Sequence, residues 1–150
     1  MTFTIRTVQA HDKQAWTELY AGYRAFYRVP TDPAAVETSW EWVFGGHHGI
    51  TGFVAVDDSN TVVALANLRL FARPSTASFG VYLDDLFTAP TVRGRGAASA
   101  LLARAAAFAE ERGANIVRWI TAADNDDARR VYDRAATATP WVTYDMRPHA

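Results

Sequence analysis

The sequence predicts an α/β protein, more closely an α+β mixed sheet with helices on both faces, in a single domain over residues 1–150. The length is that of one ordinary domain, and 49% of the residues are hydrophobic, which is enough for a substantial core. Helical and alternating apolar segments follow one another in the order β-α-α-β-β-β-α-β-α-β. No internal repeat, linker or low-complexity stretch divides the chain.

The first three elements are predicted from periodicity and from helix-boundary residues. Residues Phe3 to Val8 alternate and predict an opening strand, and aromatic side chains at helical spacing predict a helix from His11 to about Phe26. Thr31-Asp32-Pro33 supplies a capping oxygen and a first-turn proline, which predicts the start of a second helix. Gly45-Gly46 predicts its end.

Three strands are predicted next, as an antiparallel meander. Strands at Phe53–Val56 and Val62–Phe71 flank Asp57-Asp58-Ser59-Asn60, a strong turn signal. A third strand is predicted from Phe79 to Thr88. This part of the chain is expected to form the centre of the sheet.

The last third of the chain predicts two more helices and two more strands. A long helix is expected after Gly96, with Gly113 at its C-terminal cap. A strand at Asn115–Ala122 and a helix that ends at about Ala135 follow it. The alternating segment Thr139–Met146 predicts a closing strand.

Charge and cysteine content exclude several function classes. The net charge is −1, so the total charge does not indicate a nucleic-acid or anionic-membrane partner. The chain has no cysteine, which excludes disulfides, a thiolate nucleophile and cysteine metal sites. No signal segment or membrane span is recognised in the pattern, so a cytoplasmic protein is expected.

The turn Arg93-Gly94-Arg95-Gly96 between a strand and a helix is the strongest functional signal. Glycines permit unusual dihedral angles and close backbone approach, and a helix start offers unpaired N–H groups with partial positive charge. These features predict a phosphate socket, although a glycine turn can also merely join the two elements. A dinucleotide fold is disfavoured because Ser99 stands at the third glycine position.

Three motifs in order resemble the GNAT superfamily of acyl-CoA-dependent N-acetyltransferases. Arg93, Gly96 and Ala98 fill the Gln/Arg-x-x-Gly-x-Gly/Ala signature of that family. Asn125, Ala128 and Tyr132 follow at the spacing that the family has for Asn, Ala and a catalytic Tyr. The segments Tyr82–Phe87 and Leu19–Tyr27 resemble the diamine and polyamine acetyltransferase branch. The chain departs from the family after the tyrosine, where a Gly-Phe pair is usual.

The resemblance implies a GNAT-like fold, with the sheet splayed apart at an acetyl-CoA site and the pantetheine arm paired to a strand edge. Acetyl-CoA is the implied cosubstrate, and no metal is expected. The residues implied to bind it are Leu86, Phe87, Thr88, Arg93, Gly94, Arg95, Gly96, Ala97, Ala98, Ser99, Asn125 and Ala128.

The resemblance also implies the catalytic residues. Tyr132 is the proposed general acid, since a phenol of pKa about 10 holds a proton for the departing thiolate; a packed core tyrosine is the alternative. Asp84 is assigned as base or amine anchor and Asp85 as its support, with a structural ion pair as the alternative. Strict alternation places Asp85 on an apolar face, so either an arginine pairs with it or a bulge re-aims it.

The acceptor is expected to be a small cationic amine. Tyr23 and Tyr27 belong to an aromatic stripe that either lines the acceptor pocket through cation–π contacts or forms core. The predicted reaction is acetyl transfer to a primary amine by direct attack through a tetrahedral intermediate. A non-catalytic acyl-CoA sensor and a protein lysine acetyltransferase are the alternatives. The resemblance also implies a homodimer, since members of the superfamily often dimerise.

Overall fold

A computed structural model describes residues 2–149, in two compact units that meet in sequence at Ile120 and Thr121. Within residues 2–149, the first unit holds a five-stranded sheet and three α-helices, and the second holds one α-helix. The strands are β1 (Thr4–Thr7), β2 (Ile50–Val56), β3 (Val62–Arg73), β4 (Ser78–Thr88) and β5 (Val117–Arg118); the helices are α1 (Lys13–Phe26), α2 (Pro33–Gly45), α3 (Ala97–Glu111) and α4 (Asp126–Ala135). No helix within residues 2–149 combines the length and apolarity that crossing a membrane requires.

The helix boundaries follow the predicted caps. The Asp32 carboxylate accepts a hydrogen bond from the Ala35 amide at 3.1 Å at the start of α2, and Gly46 ends that helix with φ 67°. The α3 helix is followed by Gly113, with φ 69°. In the β2–β3 turn, Asp57 Oδ1 accepts the amides of Ser59 and Thr61. These local predictions are confirmed.

The sheet is mixed, as predicted. Its strand order is β1-β2-β3-β4-β5, with antiparallel pairing up to β4 and a parallel β4–β5 pair. That parallel pair consists of Val81 opposite Val117 and Tyr82 opposite Arg118. From Leu83 to Thr88, β4 pairs with β3 alone among the described strands. The sheet therefore opens at this point, as the resemblance implies.

Helices cover both faces of the sheet. Neighbouring residues of a strand point to opposite faces of the sheet, so the neighbours Phe53 and Val54 of β2 show which helices cover each face. Val54 joins the core cluster with Trp16 of α1 and Trp40 of α2, whereas the Phe53 ring lies 5.9 Å from that of Phe108 in α3. The α1–α2 pair therefore packs on one face and α3 on the other.

A buried ion pair fastens β1 to the start of α1. Asp12 is 2% exposed and accepts Arg6 Nη1 at 2.7 Å, Arg6 Nη2 at 2.9 Å and the Gln9 amide at 2.8 Å. Burial by itself raises the pKa of Asp12, but these hydrogen bonds outweigh it and hold that pKa below the ordinary value. The Arg6–Asp12 pair therefore holds β1 to the segment that precedes α1 through a buried carboxylate.

The predicted strand at Asn115–Ala122 is shorter than expected, since β5 contains only Val117 and Arg118. The predicted closing strand at Thr139–Met146 is wrong, because residues 137–149 contain neither helix nor strand. An alternating segment becomes a strand only when a neighbouring strand completes its hydrogen bonds, and the described chain offers this segment none. Trp141 is 78% exposed and Met146 is 91% exposed as a result.

Candidate active site

The loop that enters α3 exposes its backbone. Gly94 and Gly96 have φ values of 78° and 95°, and a Cβ at either would meet no heavy atom within 4 Å. No side chain caps the helix, and its first intrahelical hydrogen bond runs from the Ala100 amide to the Gly96 carbonyl at 3.0 Å. The amides of Ala97, Ala98 and Ser99 therefore precede the helical ladder. This uncovered, electropositive backbone fits a diphosphate.

Arg93 ties this loop to the end of β4. Its Nε donates to the Thr88 carbonyl at 3.2 Å, and its guanidinium carbon lies 5.4 Å from the Phe26 ring centroid and 5.2 Å from that of Phe87. The side chain thus lies against the strand end. Among the predicted cofactor residues, the Arg93 side chain is thus held against β4, whereas Gly94 and Gly96 expose their backbone.

The end of β4 presents an open edge beside this loop. Phe87 is 8% exposed, and its ring packs edge-on against Tyr23 with centroids 5.9 Å apart. The ring also lies close enough to Gly22 that a Cβ there would be 3.3 Å from it. Because the Phe87 side chain is core, Phe87 has only its backbone to offer a ligand, whereas the side chains of Leu86 and Thr88 are partly exposed. An extended amide-bearing chain can pair with such an edge.

A β-bulge in β4 re-aims its two carboxylates. Asn67 of β3 pairs with Asp85 and Leu68 pairs with Leu83, so Asp84 is an extra residue in the ladder. Strict alternation would send Asp84 and Asp85 to opposite faces, but both line the same cleft. The predicted bulge is confirmed, and the hydrogen-bond partners of Asp85 among residues 2–149 are Asn67 and Tyr20, so the predicted alternative of an arginine partner is wrong.

The cleft has a volume of about 490 Å³ and lies where α1, α2, β3 and β4 come together. Its lining combines aromatic, polar and charged side chains. The lining residues are Tyr20, Ser39, Trp42, Val43, His48, Ile50, Asn67, Arg69, Asp84 and Asp85.

Asp84 forms the ion pair of the cleft. Arg69 Nε donates to its two carboxylate oxygens at 2.9 and 3.2 Å. Burial raises the pKa of Asp84 above its ordinary value, the bond and charge of Arg69 lower it, and the neighbouring Asp85 raises it again; the net direction is upward. Asp84 therefore holds a proton more readily than an ordinary surface carboxylate.

Asp85 is held by neutral donors instead. It accepts Asn67 Nδ2 at 2.8 Å and the Tyr20 hydroxyl at 3.2 Å. Burial and the charge of Asp85 raise the pKa of Tyr20, so that hydroxyl remains a donor at neutral pH. Asn67 is 2% exposed, and its Oδ1 accepts no hydrogen bond from the described residues. The carboxylate of Asp85 is thus a fixed negative charge without a cationic partner in the cleft's hydrogen-bond network.

The aromatic stripe divides between core and cleft. Trp16 is fully buried and stacks on Tyr20, which lines the cleft. The Tyr23 hydroxyl donates to the Asp84 carbonyl at 3.3 Å and so braces the bulge, while Tyr27 packs edge-on against Tyr23. Neither Tyr23 nor Tyr27 is among the cleft-lining residues, although both are predicted acceptor contacts.

Sequence reasoning missed Asn67 and Arg69 as site residues. A signal was present, since these two polar residues interrupt the apolar run of β3 at alternate positions. Opposite a strand with two carboxylates, such a polar pair indicates a cross-strand network. The cleft residues from α2 left no comparable signal, because an exposed helix face also explains them.

The second unit carries the other predicted residues. Asn125 is the residue before α4; its Nδ2 donates to Thr121 Oγ1 at 3.3 Å, and its carbonyl accepts the Arg129 amide at 3.0 Å. Ala128 and Tyr132 follow within α4, four residues apart and therefore on one helix face. Within residues 2–149 there is no group of three or more His, Cys, Asp or Glu arranged to hold a metal ion.

Comparison with known proteins identifies relatives of the whole fold. The profile of the Acetyltransferase (GNAT) family matches residues 16–136. The D-amino-acid N-acetyltransferase HPA3 of Saccharomyces cerevisiae is 23% identical over 141 residues, which cover 93% of this chain and 88% of that protein.

Solved structures share the fold. The crystal structure of a ribosomal-protein-alanine N-acetyltransferase from Brucella melitensis biovar Abortus superposes with a TM-score of 0.80 at 23% identity, covering 97% of this chain and 99% of that one. The aminoglycoside N-acetyltransferase AAC(6')-Iy, in complex with CoA, gives a TM-score of 0.82 at 18% identity and covers 98% and 95% of the two chains.

Proposed function

This chain belongs to the GNAT acetyltransferase family and is an acetyl-CoA-dependent acyltransferase, and we propose that it acetylates the primary amine of a small acceptor that is cationic before it reacts. The acidic cleft carries this proposal. Asp84 and Asp85 line it together with Arg69, which pairs with Asp84, and an ammonium group is the complement of the remaining carboxylate, Asp85.

The order of features along one strand supports the same conclusion. The carboxylates stand at the bulge of β4, the open edge Leu86–Thr88 follows at once, and the strand leads through Gly94 and Gly96 into α3. An acyl-CoA that places its diphosphate on the loop and its pantetheine arm on the edge points its thioester toward the bulge. A backbone N–H near Phe87 would polarise the thioester carbonyl there.

The two carboxylates take different roles in this proposal. The raised pKa of Asp84 makes it the proton acceptor for the incoming ammonium, directly or through water. Asp85, fixed by Asn67 and Tyr20, attracts and orients the amine. The amine attacks the acetyl carbon directly through a tetrahedral intermediate, and Tyr132 is the proposed acid for the CoA thiolate. Asn125 and Ala128 are proposed to contribute to the cofactor site.

A thiol-release assay tests the proposal. The protein is incubated with acetyl-CoA and, separately, with a polyamine, an amino acid, an aminoglycoside and a lysine peptide. We expect CoA release with at least one of the small amines. Acetyl-CoA binding by calorimetry with no release across this panel would contradict the enzyme assignment and favour an acyl-CoA sensor; release with the peptide alone would favour a protein lysine acetyltransferase.

Gly96→Ala tests the diphosphate socket. A side chain is strained at φ 95° and projects into the open space above the loop, so we expect CoA affinity to fall by about tenfold or more. Gly113→Ala is the matched control, because Gly113 also has positive φ and open space but lies beyond the other end of α3. Calorimetry with CoA measures both variants. Equal affinities would remove the loop from the cofactor site.

The family profile crosses the boundary between the two units, which supports our proposal that residues 1–150 act as one catalytic domain. Membership of the diamine and polyamine acetyltransferase branch, which the segments Tyr82–Phe87 and Leu19–Tyr27 resemble, stays a prediction. So do the cytoplasmic location, the lack of a metal, and the lack of nucleic-acid and membrane partners.

We also propose a homodimer, supported by the apolar side chains of residues 139–146. Trp141, Val142 and Met146 are each more than 70% exposed, and exposed apolar groups at this density are typical of contact surfaces. The double variant Trp141→Ser, Met146→Ser is expected to convert a dimer into a monomer in light scattering. A monomeric wild-type protein would contradict the proposal.

A further inference from the structure

The Nη groups of Arg69 in the acceptor cleft make no hydrogen bond with residues 2–149. The hydrogen bonds of Arg69 to residues 2–149 all leave from Nε, toward Asp84. Its guanidinium carbon also lies 4.8 Å from the centroid of the Tyr82 ring. The carboxylate on one side and the ring on another orient the guanidinium, whose two Nη groups carry four further N–H donors. The side chain is 41% exposed, so these donors are accessible.

The charges of the cleft require a particular kind of ligand. Arg69 and Asp84 neutralise one another as an ion pair, and Asp85 remains as a negative charge held by neutral donors. One ammonium group balances Asp85. A second ammonium group near Arg69 would be repelled, whereas a carboxylate there would gain a charge-assisted pair of hydrogen bonds.

The spacing of the two binding groups suits a compact ligand. Arg69 and Asn67, which holds Asp85, stand two residues apart on β3 and so are about 7 Å apart along the strand. Because their positions differ by two, their side chains point to the same face of the sheet. An amine and a carboxylate separated by one or two carbons can bridge such a pair of sites.

We propose that the acceptor is an amino carboxylate, a small molecule whose reacting amine lies beside a carboxylate, and that Arg69 is the specificity residue that binds the carboxylate through its Nη groups. This inference rests on the proposed function. It separates amino acids from diamines and polyamines, which carry no carboxylate and would bring a second cation to Arg69.

A matched acceptor series tests the inference. Each amino acid, including both enantiomers, is compared with its carboxamide and with the amine that lacks the carboxyl carbon. These molecules share the reacting amine and the side chain. We expect wild-type kcat/KM to be about 10- to 100-fold higher for the acid than for the amide, which is the range that a charged hydrogen-bonded pair supplies.

Three variants assign that preference to Arg69. In Arg69→Gln the acid-to-amide ratio is expected to fall to about one, and Arg69→Lys, which keeps the charge without the fork, is expected to retain part of it. Arg73→Gln is the matched control, since Arg73 lies on the same strand and donates to Asn115 outside the cleft; its ratio should equal that of the wild type. CoA affinity measured on each variant verifies the fold.

The outcomes separate the inference from the function on which it rests. Acetylation of amides and simple amines with no preference for the acid, or a preference that survives Arg69→Gln, would overturn the inference and leave the acetyltransferase intact. Failure of every acceptor in the series and of the polyamine would count against the function itself.

Discussion

Replacing Tyr132 with Phe is expected to lower kcat by at least about 100-fold, at the lower end of what a general acid contributes. The phenol of a tyrosine is protonated at neutral pH and can supply the proton that the departing CoA thiolate needs. Phe keeps the ring but removes that proton. Steady-state thiol release over a range of pH measures the loss, and calorimetry with CoA is expected to give an unchanged dissociation constant.

Tyr144→Phe is the control for this substitution. It removes the same hydroxyl from a tyrosine that is 90% exposed, and its turnover should match that of the wild type. If Tyr132→Phe keeps full turnover at every pH, the proton comes from another group. If it loses CoA binding as well, Tyr132 serves the cofactor site and not the proton transfer.

Replacing Asp12 with Ala is expected to lower the free energy of unfolding by about 3–5 kcal/mol, the range for breaking a buried ion pair from one side. The substitution leaves the Arg6 guanidinium and the Gln9 amide without the acceptor that they share. Urea denaturation measures the change. Glu37→Ala is the comparison, because the Lys13–Glu37 pair is half exposed; an exposed pair contributes at most about 1 kcal/mol.

The same carboxylate determines part of the acid sensitivity. The pKa of Asp12 is lower in the folded protein than in the unfolded chain, so the unfolded state takes up the proton first as the pH falls. Its stabilising contribution is therefore complete above the unfolded pKa of about 3.9 and is lost as the pH falls through the folded value. Asp12→Ala should flatten this part of the stability profile, and an unchanged acid slope would contradict the assignment.

Features that depend on residues within a few positions of one another followed from the sequence alone. The Asp32 cap, the helix end at Gly45-Gly46 and the turn that begins at Asp57 were all predicted and are present. The bare loop at Gly94 and Gly96 belongs to the same class. Such elements form from dihedral preferences and short-range hydrogen bonds, which a local pattern contains in full.

Pairing between distant segments required the tertiary structure. Alternation alone could not decide between a bulge and an arginine partner for Asp85, because the answer depends on which residue of β3 lies opposite. The alternating segment 139–146 had the composition of a strand but no described partner strand. Edge pairing is a property of two segments, so one pattern cannot establish it.

The sequence by itself determined the family, the order of the elements up to α4 and the exposed loop at the start of α3. The tertiary structure decided how the cleft is built. It brings the Tyr20 hydroxyl of α1 within hydrogen-bond distance of Asp85, 65 residues away. It also pairs Arg69 with Asp84 and Asn67 with Asp85 through hydrogen bonds. Caps and turns depend on residues that are close in sequence, so the sequence predicts them. The partner of a buried charge is a residue that the fold brings within hydrogen-bond distance, so only the tertiary structure shows it.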